Sequence, residues 1–156
     1  GLGPYPWAPY KVVWCRLGFK PDFAVVSTRS DPDLGEKCVV PGDHYMFIAT
    51  ERRRTAHFLC ALLNAAPYQR TLRDLSSNGK ASLSKALVSE LSLPTPPEAE
   101  WGDRLAALSM ELHDLVSAPD TGDAERERAI AERRAEIDRV EESALAAGDL
   151  ASASTE

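Results

Sequence analysis

Along this chain, hydrophobic and polar positions first alternate, then run together, then recur every three or four residues. Residues 10–16 (YKVVWCR) and 23–28 (FAVVST) are β-branched and aromatic, the make-up of half-buried strands. Asp31, Pro32, Asp33 and Gly35 predict a turn. A third strand is expected at 37–40, stopped by Pro41 and Gly42, and a fourth at 45–49. The stretch 50–68 (TERRRTAHFLCALLNAAPY) then reads as one helix. Phe58, Leu59, Leu62 and Leu63 line one side of a 3.6-residue repeat, while Ala56, Cys60 and Ala61 keep the rest small and apolar. Thr50 is placed to cap its start, Asn64 to end it, and Pro67 to stop it running on unbent. A helix apolar on most sides must be covered on most sides, which makes it the core element of a mixed domain.

Residues 68–75 predict another helical turn or two, and 76–80 a loop around Asn78-Gly79, a dipeptide tolerant of positive φ. Ser84 is placed to cap a short helix ending at Leu91. Residues 93–97 (LPTPP) form a stiff extended connector, because three prolines bar a helix. Trp101, Leu105, Leu108, Leu112 and Leu115 then recur as a coiled-coil-like seam. After a turn at 118–123, a second charged helix turns Ile130, Ile137, Val140 and Ala144 to one side and its Glu and Arg residues to water. From Gly148 the chain is small and polar, and disorder is expected. The fold class is therefore α+β: a small mixed sheet packed on a central helix, followed by an antiparallel helical hairpin. The boundaries fall at 1–97, 98–147 and 148–156.

Composition divides the chain at the same place. The net charge is −6, yet residues 1–97 carry 12 Lys+Arg against 8 Asp+Glu, and residues 98–156 carry 6 arginines against 16 acidic residues. Phosphate contacts need a local basic face, which the front part retains. Cys15, Cys38 and Cys60 are odd in number, far apart and set in apolar runs. They predict buried free thiols in a reducing, cytoplasmic compartment rather than a disulfide framework. His44, His57 and His113 are scattered and predict no metal site or base. No run is long and apolar enough to span a bilayer. GLG at the start lacks the context of a nucleotide fingerprint, and neither a phosphate-binding loop nor a GxSxG elbow occurs. Asp31 and Asp33 belong to a turn, so no self-contained active site is expected. The abrupt opening at Gly1 suggests a C-terminal piece of a longer protein.

Four segments occur in a telling order: PYPWAPYKVVWCR, EKCVVPGDHYMFI, TAHFLCALLNAAPY and SLSKALVSELSLPTPP. In this order the chain resembles the C-terminal target-recognition region of TaqI-like N6-adenine DNA methyltransferases and of fused restriction-modification enzymes. It is also similar to the recognition domains of type I restriction specificity subunits. Lys37, residues 59–64, Gly79 and residues 91–97 carry the match over about residues 4–97, with Ala65 where serine is usual. A weaker echo lies in residues 135–148. The resemblance implies that an upstream domain binds S-adenosylmethionine and methylates a flipped adenine, while this chain grips double-stranded DNA. Lys11, Arg16, Lys20, Arg29 and Lys37 are the cations available around the strands. The favoured DNA contacts are Asn78 and Lys80 on the Gly-containing loop, with Arg70, Arg73 and Lys85 toward phosphates and Lys37 as a further DNA contact. Arg52-Arg53-Arg54, at a helix start where positive charge is unfavourable, is expected to meet a compensating anion, or else to be exposed or paired with Glu51 and the acidic hairpin. The competing expectation is a helical protein-interaction or oligomerisation module, whose hairpin pairs with another helix or subunit and which has no nucleic-acid role.

Overall fold

The computed structural model describes residues 5–16, 21–76, 88, 91, 93–119 and 124–151. Strand β1 (Tyr10–Cys15) is central in a three-stranded sheet, flanked by β2 (Phe23–Val26) and β5 (Tyr45–Thr50). Pairing is antiparallel throughout. Val12 lies opposite Val25 and Ile48, and Trp14 opposite Phe23 and Met46. Directly paired residues share a face, so these six form the apolar side turned to the helices; Val12 and Trp14 are buried there. The opposite side carries Lys11, Val13 and Phe47. It is covered by a 3-10 turn, Tyr5–Trp7, whose Tyr5 ring stacks on Phe47 at 5.0 Å.

Strands β3 (Thr28–Asp31) and β4 (Gly35–Cys38) form a separate two-stranded ribbon. The expected strand at 23–28 is thus two strands meeting at Ser27, and the one expected at 37–40 begins two residues earlier. The turn explains the shift. Asp31 Oδ1 accepts the N–H groups of Asp33 and Leu34, both at 2.9 Å, and Gly35 has φ +69°. The chain reverses within three residues, so pairing resumes at once.

Helix α1 (Arg53–Asn64) buries every residue from Ala56 to Leu63. Thr50 does not cap it; it ends β5, and its Oγ1 bonds the backbone N–H and C=O of Arg52, the N-cap residue. Asn64 closes α1 as expected, and extended Ala65 breaks the chain before α2 (Ala66–Ser76). Pro67 sits in the first turn of α2, where its missing N–H costs nothing. The neighbouring Ala66 N–H is taken by Asp138 Oδ1 at 2.9 Å.

Helices α3 (Glu100–Ser117) and α4 (Ala124–Ala147) run antiparallel. Arg104 bonds Glu136 and Arg133 bonds Glu111, each at 2.8 Å. Yet the leucine seam of α3 serves α1 first. Leu105, Ala106 and Leu108 belong to the same buried cluster as Phe58 and Leu62, and Trp101 meets Phe58 at 5.9 Å between ring centres. The change in composition at residue 98 therefore does not mark a gap in the core. The end of α4 is also tied down. Gly148 takes φ +76°, the Gly148 and Asp149 N–H groups bond the carbonyls of Leu145 and Ala144, and Leu150 is buried. This glycine-closed helix end replaces the disorder expected from Gly148 onward; residues 152–156 lie outside the described residues.

Candidate nucleic-acid interface

The favoured cations fall into separate places. Arg70 and Arg73 are exposed and three residues apart on α2, hence neighbours on its surface. Arg73 Nε bonds the carbonyl of Gln69 at 3.1 Å. Lys37 lies on β4, directly opposite Arg29 on β3, with both side chains exposed. The structure does not join this ribbon to α2. Asn78, Lys80 and Lys85 lie outside the described residues, as does Lys20. Arg16 is exposed just after β1.

Lys11 is a correction. Its side chain is fully buried, with Nζ donating to the Ala8 carbonyl at 2.7 Å and to Cys38 Sγ at 3.1 Å. Strand alternation places it on the face that the 3-10 turn covers, where no phosphate reaches it. The arginine triplet divides. Arg52 and Arg53 are exposed, whereas Arg54 pairs with Asp103 at 2.6 Å and donates to the Pro97 carbonyl. That is the pairing with the acidic hairpin raised by the misplaced charge.

On the Arg29–Lys37 face of the ribbon, two like charges stand side by side, which destabilises a bare hairpin. Asp31 shares that face by alternation, but its Oδ1 is engaged by the turn. Among the described residues neither cation has an ion-pair partner. Such a face gains from an anion placed between the two charges.

A second polar cluster lies where α1, α3 and β2 meet. The Val25 N–H donates to His113 Nε2 at 2.9 Å, so His113 Nδ1 carries the proton and donates to the Ser109 carbonyl at 2.7 Å. His57 Nδ1 meets Ser109 Oγ at 3.0 Å, and the two imidazoles stand edge to face at 4.9 Å. Burial, then the neighbouring His113 and Arg53, push the His57 pKa down to about 4. A cleft of about 400 Å³ opens beside the pair, lined also by Tyr10, Arg53 and Asp114. With both nitrogens engaged, His113 is a strut between helix and sheet rather than a base.

Of the three free cysteines, Cys60 alone is buried; Cys38 is half-buried and Cys15 exposed. This departs from the expectation of three buried thiols. A strand places alternate residues outward, so an apolar run does not bury each member. Burial pushes the Cys60 thiol up to about 12. The group that patterning missed most clearly is Glu141, fully buried on the Ile137–Ala144 side of α4. Its i, i+4 spacing from Ile137 was the available signal, hidden by the surrounding charge run. Among the described residues, no helix is long and apolar enough to cross a membrane. No family model, curated protein or solved structure matches this chain.

Proposed function

We propose that this chain binds duplex DNA as the target-recognition part of a cytoplasmic restriction-modification adenine methyltransferase. A separate domain would supply S-adenosylmethionine and the methyl transfer. The observation that carries this is the exposed ribbon, where Arg29 faces Lys37 with no carboxylate between them. A two-stranded ribbon fits a duplex groove, and phosphates on its edge relieve the repulsion. The exposed Arg70 and Arg73 on α2, the positive balance of residues 1–97 and the order of the four sequence segments support the same reading.

Duplex binding by the full chain, measured by fluorescence anisotropy between low and moderate salt, tests it. Affinity falls with salt at roughly 0.9 log units per neutralised phosphate. Arg29→Ala and Lys37→Ala are each expected to weaken binding and lower that slope by about 1. Arg54→Ala, whose guanidinium already holds Asp103, leaves the slope unchanged. Absence of duplex binding at the lowest salt, or equal slopes for all three variants, overturns the assignment.

A further inference from the structure

We propose that Lys11 and Cys38 form an oxidation-sensitive modification site, at which peroxide joins the lysine nitrogen to the cysteine sulfur through a single oxygen atom. Nζ and Sγ lie 3.1 Å apart although 27 residues separate them in sequence. That gap is too long for a nitrogen–sulfur bond and close to what one interposed oxygen spans.

The surroundings hold the two atoms there. A lysine is rarely buried without a carboxylate partner, yet Lys11 is wholly excluded from solvent, and its described partners are the Ala8 carbonyl and Cys38 Sγ. Strand β1 fixes one end of the pair and the base of the ribbon the other. The nitrogen is therefore held beside the sulfur, the condition under which an intramolecular reaction outruns its intermolecular counterpart. The carbonyls of Pro6, Trp7, Ala8 and Val39 lie 3.4–3.9 Å from the sulfur. They crowd out a bulky thiol, but Cys38 is only half-buried, so a small oxidant reaches it. Cys60 offers the contrast: it is buried against the Phe23 carbonyl and Asn64, with no lysine among its bonded partners in the described residues.

The chemistry balances with hydrogen peroxide as oxidant. The first peroxide converts the thiol to a sulfenic acid: the S–H and O–O bonds break, an S–O bond forms and water leaves. Lys11 loses one ammonium proton, which leaves past the half-buried Cys38 side. A second peroxide then accepts two electrons as the amine nitrogen bonds the sulfenic oxygen, with loss of one N–H and the O–H hydrogen as two further waters form. In sum, one ammonium, one thiol and two peroxides give the N–O–S bridge, three waters and a proton. Sulfur and nitrogen each lose two electrons. The bridge ties β1 to β4 and so fixes the ribbon to the sheet. It rests on none of the DNA-binding reading.

Mass spectrometry of the full chain after peroxide treatment and unreduced trypsin digestion decides the matter. The expected product is one cross-linked species joining the Lys11 and Cys38 peptides, heavier by one oxygen and lighter by two hydrogens, with cleavage after Lys11 lost. A thiol reductant restores both peptides, and Cys38→Ser abolishes the species while leaving Lys11 cleavable. The wild-type digest is decisive even if Lys11 variants fail to fold. Recovery of Cys38 as free thiol, as sulfinic or sulfonic acid, as a disulfide with Cys15, or bonded to nitrogen without oxygen overturns the proposal.

Discussion

Glu141 occupies a position where α4 needs an apolar residue. Between Ile137 and Ala144 it is fully buried, and neither carboxyl oxygen has a hydrogen-bond partner among the described residues. Burial, with nearby Asp138, raises its pKa from 4.5 to about 8. The folded chain therefore keeps a proton that the unfolded chain releases above pH 4.5. Stability falls as pH rises through that window, by on the order of 3–5 kcal/mol at roughly 1.4 kcal/mol per pKa unit. Glu141→Gln is expected to remove most of this decline, read as denaturant unfolding free energies at pH 5 and pH 8.5. His57 acts in the opposite sense. Unfolded, it binds a proton below about pH 6.5; folded, it does not until about pH 4. Stability thus falls as pH drops from 6.5 toward 4, by on the order of 2–3 kcal/mol. In His57→Gln, which can still hydrogen-bond Ser109, the same titration is expected to show a shallower acid limb.

At the scale of elements, α1 is held by contacts its own sequence does not announce. Asn64 does more than end the helix. Its Nδ2 donates to the Phe23 carbonyl at 2.8 Å and its Oδ1 accepts the Phe23 N–H at 3.0 Å, so one side chain pairs with β2 as another strand would. The proline connector sets how closely α3 approaches. A Cβ on Gly102 would lie 2.8 Å from Pro97 Cγ and 3.1 Å from its carbonyl oxygen, and neither the ring nor the backbone yields easily. Gly102→Ala improves helix propensity by up to about 1 kcal/mol, but overpacking costs about 1–3 kcal/mol. A net loss of up to about 2 kcal/mol is expected, seen as a thermal midpoint lower by a few degrees.

For the whole molecule, the decisive fact is that the acidic helices complete the core of the basic front part. Leu105 and Leu108 are fully buried in the cluster that contains Phe58 and Leu62. A chain ending at residue 97 would leave that face of α1 open to water. Each large apolar side chain so exposed forfeits about 1.5–3 kcal/mol, against a total stability of about 5–15 kcal/mol. Residues 1–97 alone are therefore expected to lose dispersed side-chain NMR signals and to bind a hydrophobic dye, whereas the full chain does neither. A native-like spectrum from the shorter chain would show that the front part folds alone.

Local pattern determined much of this protein. β-branched runs, a helix apolar on most sides, a proline connector and a leucine seam identify an α+β chain, because period and turn chemistry act over short range. Free cysteines and the Arg54 pairing with the hairpin were also within reach of composition and the helix dipole. Tertiary structure alone decided which partner each face meets. The seam spacing of Leu105 and Leu108 is equally suited to α4, to another chain or to α1, and packing selected α1. Lys11 and Glu141 carry charges that local pattern assigns to water, yet the Tyr5–Trp7 turn, Ala8 and Cys38 enclose Lys11, and the packing of the Ile137–Ala144 side of α4 encloses Glu141. Among the candidate DNA contacts, the opposition of Arg29 to Lys37 depends on strand register, which the Asp31–Gly35 turn sets and which composition does not encode.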